Sequence, residues 1–255
     1  MEIRVLGASG GEAPGEPMAC FLLGGAVAFE GGSLARSLSI RGQVALRGII
    51  LSHAHWDHVR DLPMLADTRA QRGAPPLPVH ATAPTIAALR AHVFNGAIWP
   101  DFTRIPSRSR PAVRFVEMKP GRAFRLAGMT FRAIPVDHTV PTVGIVASDA
   151  SGAVVFSGDT GPTDQLWAEA VRLGGRLRAV FVECSFPRRM EKLARISRHL
   201  SPDSLAAEVR KLGRAAGRVP VYLYHVKPGY ARDVTAQVRR AVPSARLARP
   251  GMTIR

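Results

Sequence analysis

The sequence predicts a single α/β domain in which helices cover the outer faces of a mixed sheet system. The first observation is a series of short apolar, β-branched runs that recur along the chain and end at glycine, proline or charged residues. The second is a change of pattern in the second half, where helical segments alternate with such runs. The third is size, because 255 residues, 46% of them hydrophobic, can bury a core without disulfides, and no linker interrupts them.

The predicted elements run from hairpin-spaced strands to strands joined by helices. The predicted strands are residues 3–6, 20–29, 46–51, 79–81, 113–116, 129–136, 142–147, 153–156, 179–182 and 220–226. The predicted helices are residues 84–94, 164–172, 201–212 and 233–242. The third helix has a clear start, because Ser201 suits the N-cap and Pro202 the first helical position. Residues 73–111, rich in proline, arginine and aromatic residues, are predicted to form an insertion or lid within the domain 1–255.

The charge balance is strongly basic. Lysine and arginine total 35 against 19 acidic residues, which gives a formal net charge of +16, and only four of the 35 are lysine. Such a balance favours a polyanionic or phosphate-bearing partner, although an arginine-rich composition alone produces the same charge.

Other classes of protein are disfavoured. Cys20 and Cys184 form no C-x-x-C pair, which argues against a disulfide framework and against a cysteine-type zinc site. No apolar run approaches the roughly 20 residues of a membrane helix. The first residues also lack the basic and then apolar pattern of a secretory leader. We therefore expect a soluble, cytoplasmic protein that does not engage a membrane.

The strongest functional signal is an H-x-H-x-D-H pattern directly after the predicted strand 46–51. Alternate residues of an extended chain point the same way, so His53 and His55 can reach one ion together. Asp57 and His58 lie past the bend, where they can face a second ion. Chance produces H-x-H often, but the full pattern at a strand end is specific.

Further metal-capable side chains follow three later predicted strands: His138, Asp159 and His225. Together with the first four residues they make five histidines and two aspartates, which can hold two divalent ions with Asp159 bridging them. Nitrogen and carboxylate ligands without thiolate suit Zn²⁺ best, and Mn²⁺ or iron also accept them.

This arrangement resembles the metallo-β-lactamase superfamily. The resemblance implies a four-layer αββα sandwich with a dinuclear metal site at one edge. The implied ligands are two triads that share one carboxylate: His53, His55 and His138 for one metal, Asp57, His58 and His225 for the other, and Asp159 between them. One departure is Glu30, because the superfamily usually carries aspartate at this position, which supports the site from behind.

A second segment points to the chemistry of the site. Phosphodiester cleavage expels an alkoxide that needs a proton, and a histidine outside the metal shell, oriented by a carboxylate, supplies one near neutral pH. His199 with Glu183 fits this role. Together with Asp57 they are the predicted catalytic residues.

The same segment resembles the class II cyclic-nucleotide phosphodiesterases. These carry an H-x-H-x-D-H site, an E-x-S-F-P stretch, found here at 183–187, and an H-L-[ST]-P stretch, found here at 199–202. Residues 5–11, 92–100 and 225–228 also look like that family. The resemblance implies a dinuclear metallo-hydrolase that converts 3′,5′-cyclic AMP or GMP to the 5′-monophosphate. In the predicted mechanism a metal-bridging hydroxide attacks phosphorus and His199 protonates the departing 3′ oxygen.

An aromatic block is a candidate surface for the nucleobase: Phe94, Trp99 and Phe102. A purine ring needs a flat apolar surface, but aromatic residues beside a helix end more often belong to the core or to a contact between the subunits of a homodimer. Trp56, inside the metal motif, is expected to pack beneath the metal loop.

Three polar residues after His225 are candidate phosphate contacts: Lys227, Tyr230 and Arg232. A solvated loop without a binding role is an equally good interpretation of them. Three other reactive side chains are expected to be structural: His80, His92 and Cys184.

Two alternative functions stay open. The first is an RNA-processing phosphodiesterase that resembles RNase Z, which shares the fold, the metals and a comparable Glu/His pair. The net charge of +16 suits RNA, but no long Gly/Pro-rich arm for holding a transfer RNA is evident. The second is a non-catalytic, metal-stabilised module that binds nucleic acid through its arginine-rich surface.

Overall fold

Two seven-stranded mixed sheets form the centre of the structure, a computed structural model that describes residues 1–255. The strands are β1 (Ile3–Gly7), β2 (Cys20–Leu23), β3 (Val27–Phe29), β4 (Gly48–Ile50), β5 (Leu77–Ala81), β6 (Val113–Glu117), β7 (Ala123–Leu126), β8 (Met129–Val136), β9 (Thr142–Asp149), β10 (Gly152–Phe156), β11 (Leu177–Glu183), β12 (Val221–Tyr224), β13 (Ala245–Leu247) and β14 (Thr253–Ile254). The first sheet has the order β14-β1-β2-β3-β4-β5-β6, and the second has the order β13-β12-β11-β10-β9-β8-β7.

Helices cover the outer face of each sheet. They are α1 (Leu34–Ser37), α2 (Ile40–Ala45), α3 (Trp56–Val59), α4 (Leu62–Gln71), α5 (Ala83–His92), α6 (Gln165–Arg172), α7 (Glu191–Ile196), α8 (Pro202–Arg210) and α9 (Ala231–Ala241). One apolar cluster joins the first sheet to the helices of the first half, and another joins the second sheet to α6, α8 and α9. A third cluster lies between the sheets. These layers confirm the predicted αββα sandwich. None of the helices combines the length and the apolarity that crossing a bilayer requires.

Aromatic side chains fill the space between the sheets. The rings of Phe29 and Phe156, which come from different sheets, have centroids 4.8 Å apart, and Phe156 stacks on Phe181 at 4.7 Å. Tyr224 meets Phe21 edge to face at 5.3 Å. Phe29, Phe156, Phe181 and Tyr224 lie at or near the carboxyl ends of their strands, so they form a rigid base behind the loops that follow.

The N-terminal part of the first sheet departs from the prediction. Residues 20–29 were predicted as one strand, which is wrong, because Gly24 and Gly25 adopt φ values of 55° and 68° and reverse the chain between β2 and β3. Glycine tolerates this left-handed conformation at low cost, and the result is a tight hairpin.

The region 73–111 contains regular elements of the first sheet. It includes β5, which is hydrogen-bonded in parallel between β4 and β6, and it includes α5. Residues 93–112 then return to β6 as a loop in which Phe94 and Phe102 are buried in the outer core.

Candidate metal centre

The predicted metal ligands all lie at one edge of the sandwich. β8, β10 and β12 run in the same direction, and their carboxyl ends carry His138, Asp159 and His225. The H-x-H-x-D-H residues come from the segment that links β4 to α3. Loops that follow aligned strand ends share one edge, so the topology explains why residues far apart in sequence meet here.

The ligand atoms form the two groups that the resemblance implies. His53, His55, His138 and Asp159 place ligand atoms within 4.8 Å of one another, and so do Asp57, His58 and His225. Within the first group, His55 Nδ1 lies 3.2 Å from His138 Nε2. Within the second, His225 Nε2 lies 3.2 Å from Asp57 Oδ2 and 3.1 Å from His58 Nε2.

Asp159 lies between the two groups. Its Oδ2 is 3.3 Å from His58 Nε2 and 3.2 Å from His225 Nε2, and it is 3.8 Å from His53 Nε2 and 4.0 Å from His138 Nε2. A carboxylate in this position can serve both groups, as the predicted bridging role requires.

The donor set fits divalent cations. His53 Nε2 and Asp159 Oδ1 are fully buried and have no hydrogen-bond partner. An unpaired buried polar atom is costly, so such atoms in a cluster of imidazoles and carboxylates point to a cation as the missing partner. His53 also contacts Ser52 Oγ through Nδ1 at 2.8 Å, which suits a ring whose Nε2 is reserved for a metal.

The electrostatics of most of these groups favour the ionisation state that ligands need. Burial lowers the pKa of His53, His55 and His138, so these imidazoles are neutral at pH 7. Burial alone would raise the pKa of Asp159, but the imidazoles of His225 and His58 hold it well below its ordinary range. The carboxylate is therefore ionised. Burial alone would lower the pKa of His58, but the charges of Asp159 and Glu30 outweigh burial and raise the pKa, so this imidazole must lose a proton to bind a metal.

Glu30 occupies the supporting position behind the centre despite its extra methylene. Its Oε1 is 3.3 Å from His58 Nδ1, and its Oε2 accepts the Ser52 N–H at 3.4 Å. The residue is fully buried and adopts φ 65°, a conformation that costs a non-glycine residue about 1 kcal/mol or more. The longer glutamate thus reaches the imidazole from a strained backbone.

His199 and Glu183 meet at the border of the metal-ligand cluster. His199 Nδ1 lies 2.7 Å from Glu183 Oε1, and the same oxygen accepts the Thr160 N–H at 3.1 Å. Burial would lower the pKa of His199, but the charge and the hydrogen bond of Glu183 outweigh burial and raise the pKa above its ordinary value. His199 Nε2 has no hydrogen-bond partner within the protein, and the ring lies close to Asp159 and His225.

The candidate phosphate contacts separate into different environments. Lys227 lies at the site, because its Nζ is 3.6 Å from Asp57 Oδ2 while it donates to the Gly10 carbonyl at 2.6 Å. Tyr230 lies under the Arg189 guanidinium, 5.1 Å from ring centroid to Cζ. No contact brings Arg232 to the ligands. Lys227 is therefore the cation of this group that the structure places beside the cluster.

For Phe94 and Phe102 the structure favours the core alternative over base stacking, and the expected position of Trp56 is wrong. Phe94 and Phe102 are 3% and 5% exposed and belong to the core beneath α5, so they offer no free face to a base. Trp56 was expected beneath the metal loop, but it begins α3 with 54% of its surface exposed. The accessible aromatic side chain next to the ligands is therefore Trp56.

Sequence reasoning missed residues that hold the ligands in place. The Arg198 carbonyl oxygen lies 3.0 Å from His138 Nδ1, and the Arg198 guanidinium donates back to the His138 carbonyl at 2.8 Å. Ser185 Oγ lies 3.0 Å from His225 Nδ1. Arg198 contributes a backbone carbonyl, and residue type gives no signal for a carbonyl. Ser185 lies within the E-x-S-F-P stretch, but the sequence pattern assigned it no role.

Known proteins share both the fold and parts of the sequence. Residues 31–225 match the β-lactamase superfamily domain. A "Probable 3′,5′-cyclic-nucleotide phosphodiesterase" of Yersinia pestis is 27% identical over 222 residues, which cover 78% of this chain but only 63% of that protein. A "Ribonuclease Z" of Mycobacterium sp. (strain KMS) is 29% identical over 219 residues, which cover 78% of this chain and 73% of that protein. The structure of unliganded yeast PDE1 superposes with a TM-score of 0.82 at 18% identity and covers 99% of this chain and 98% of that chain.

Proposed function

The chain belongs to the metallo-β-lactamase superfamily, and from this premise we propose that it hydrolyses 3′,5′-cyclic nucleotides to 5′-monophosphates. The observation that carries the proposal is the buried Glu183–His199 pair beside a cluster of two metal-ligand groups. Such a pair is of use where a leaving group needs a proton, as the 3′ oxygen of a cyclic phosphodiester does.

Two divalent ions would be held by the following residues: His53, His55 and His138 for one, Asp57, His58 and His225 for the other, and Asp159 for both. When bound, two such ions activate water and neutralise charge on phosphoryl oxygens. Zn²⁺ suits this nitrogen-rich donor set, and Mn²⁺ or iron are the alternatives.

The protein's own part in the reaction is to place and release a proton. Glu183 accepts the Nδ1–H of His199, which fixes the tautomer and leaves Nε2 to carry the proton that moves to the 3′ oxygen. The carboxylate is fully buried, so its charge stabilises the imidazolium without strong screening by water. The pKa of His199 is raised by this contact, which keeps the acid form populated near neutral pH.

Three further features favour a small nucleotide substrate. Trp56 presents an exposed ring within the run of ligands, where a nucleobase can stack beside its phosphate. Lys227 adds an ammonium group beside Asp57 that can contact a phosphoryl oxygen. In addition, the loop 93–112 is anchored by buried aromatic residues rather than extended as an arm.

A second candidate is RNA processing of the RNase Z kind. The Mycobacterium relative carries that name, and a net charge of +16 suits a polyanion. A non-catalytic nucleic-acid module is less consistent with the site, because a purely structural metal site needs no proton donor.

A substrate panel distinguishes these functions. The purified protein, loaded with zinc or manganese, is assayed with cyclic AMP, cyclic GMP, a 2′,3′-cyclic nucleotide, bis(p-nitrophenyl) phosphate and a transfer RNA precursor. We expect turnover of a 3′,5′-cyclic nucleotide and no cleavage of the precursor. Cleavage of the precursor without cyclic-nucleotide turnover would replace the proposal with the nuclease, and salt-sensitive nucleic-acid binding without any turnover would favour the binding module.

A further inference from the structure

Ser185 lies where three segments of the site meet. It follows Glu183 by two residues, and its backbone N–H donates to the carbonyl of Leu200, next to the proposed proton donor, at 3.0 Å. Its own carbonyl accepts the Lys227 N–H at 3.1 Å, two residues after His225. The residue has no exposed surface. Its backbone therefore joins the segments that carry the carboxylate, the proton donor and one metal ligand.

The hydroxyl of Ser185 is surrounded by more groups than it can bind at once. Oγ lies 3.0 Å from Glu183 Oε2, 3.0 Å from His225 Nδ1 and 3.2 Å from His199 Nδ1. It also lies 3.0 Å from the His225 carbonyl. A hydroxyl has one proton to donate and two lone pairs, so the chemistry of its neighbours must select among these contacts.

The role of His225 as a metal ligand determines which of these contacts the Ser185 hydroxyl makes. Its Nε2 faces Asp57 and Asp159, each at 3.2 Å, and an Nε2 that binds a metal leaves the ring proton on Nδ1. That Nδ1–H donates to Ser185 Oγ. The hydroxyl then donates its own proton to Glu183, because a carboxylate accepts and never donates.

We propose that Ser185 is a positioning residue that couples the metal ligand His225 to the proton donor His199 through Glu183. The proposal rests on the proposed function, which assigns those two roles. His225 donates to Ser185, Ser185 donates to one oxygen of Glu183, and His199 donates to the other oxygen at 2.7 Å. One buried carboxylate thereby fixes the tautomers of both imidazoles.

Loss of the hydroxyl should disturb both ends of this chain. Without it, the Nδ1–H of His225 has no side-chain acceptor, and the ring is no longer held in the ligand tautomer. Removal of an outer partner of a ligating histidine typically costs about 10- to 100-fold in metal affinity or activity. Glu183 also loses a donor that fixes its orientation toward His199.

The test compares Ser185→Ala with the wild type and with Ser9→Ala. Ser9 is a matched control, because it is also a buried serine and its hydroxyl donates to the Val226 carbonyl at 3.1 Å, next to His225 but away from the ring. Zinc is titrated into the chelator-treated proteins in competition with a chromophoric chelator. Turnover of cyclic AMP and of bis(p-nitrophenyl) phosphate is measured separately at saturating zinc, because the second substrate has a good leaving group that needs little help from an acid.

We expect Ser185→Ala to bind one zinc equivalent about 10- to 100-fold more weakly and the other as the wild type does. At saturating zinc, its turnover of cyclic AMP should fall at least about tenfold more than its turnover of bis(p-nitrophenyl) phosphate. Ser9→Ala should show neither effect, and Ser185→Thr, which keeps the hydroxyl, should recover both.

Wild-type affinity for both zinc equivalents in Ser185→Ala would overturn the proposal, and equal losses on the two substrates would overturn the coupling to His199. If the wild type turns over neither substrate, the proposed function fails, while the zinc titration still decides whether Ser185 positions His225. Should circular dichroism show that Ser185→Ala is unfolded, Ser185→Cys keeps the volume of the side chain, replaces the hydroxyl by a thiol that is a weak donor and acceptor, and carries the same expected results.

Discussion

Glu183 and His199 should act as one unit, which a double-mutant cycle can test. A general acid contributes about 100- to 10,000-fold in rate, so His199→Ala should lose about 3–5 kcal/mol of transition-state stabilisation for a cyclic nucleotide. Glu183 acts through its 2.7 Å contact with Nδ1 and has no exposed surface. A hydrogen bond to a charged group is worth about 1.5–3 kcal/mol, so Glu183→Gln should cost about 10- to 150-fold.

The two losses should not multiply. Once His199 is removed, Glu183 has no acid to orient, so the double variant should turn over cyclic AMP within about threefold of His199→Ala. The assay is kcat for cyclic AMP at saturating metal, with metal content measured in parallel because Glu183 also binds the Thr160 N–H. Bis(p-nitrophenyl) phosphate is the control substrate, on which His199→Ala should lose less than about tenfold. A double variant slowed by the product of the single effects would refute the coupling.

Three other predictions address the metals, the substrate and the stability of the fold. Asp159→Ala should lose bound metal together with activity, and full occupancy by elemental analysis would contradict its bridging position. Trp56→Ala should raise KM for cyclic AMP by about 5- to 150-fold, the worth of one stacked base, with little change for bis(p-nitrophenyl) phosphate; a KM unchanged from that of the exposed-residue control Ile98→Ala would argue against stacking. Burial, with a smaller contribution from nearby charge, lowers the pKa of His80 to about 4, so its contribution to stability is complete above pH 6.5 and lost as the pH falls toward 4. Urea unfolding of the chelator-treated proteins measures the loss of stability between pH 7 and pH 5. With allowance for partial solvation of the ring, this loss should be about 1 kcal/mol smaller in His80→Leu than in the wild type. Equal losses in the two proteins would contradict the prediction.

The metal-ligand cluster was predictable because few residue types bind metals and the topology restricts where they can meet. His138, Asp159 and His225 follow separate strands, and the resemblance to the superfamily implied one metal site at a single edge of the sandwich. The assignment of each group to an ion stays a prediction. The roles of Glu183 and His199 also stay predictions, although the structure brings the two side chains into contact.

Side-chain orientation around the site was beyond the reach of the sequence pattern. The H-x-H-x-D-H motif fixes the ligands but leaves the direction of Trp56 undetermined, because the chain turns into α3 at that residue. Flat apolar rings made Phe94 and Phe102 candidates for base stacking, but the same apolar character buries them in the core. Residue identity records the polarity of a side chain, but not the neighbour against which it packs.

Backbone strain at the site also left no mark in the sequence. Glu30, Arg198 and His225 adopt φ values of 65°, 53° and 60°, in a region that glycine usually occupies. All three lie in or next to the metal-ligand cluster, where strained conformations commonly serve function. Glycine would lack the side chains of Glu30 and His225 that contact the cluster. A relaxed backbone would move the Arg198 carbonyl away from His138.

The product of cyclic AMP hydrolysis is the most direct test of the proposed function. The zinc-loaded protein is incubated with 3′,5′-cyclic AMP, and the nucleotides are separated by chromatography before and after metal removal with a chelator. We predict that 5′-AMP is the product, that its formation stops on chelation and that it resumes when zinc is restored. Formation of 3′-AMP, or no product with fully loaded protein, would contradict the proposal that His199 protonates a departing 3′ oxygen at a metal-dependent site.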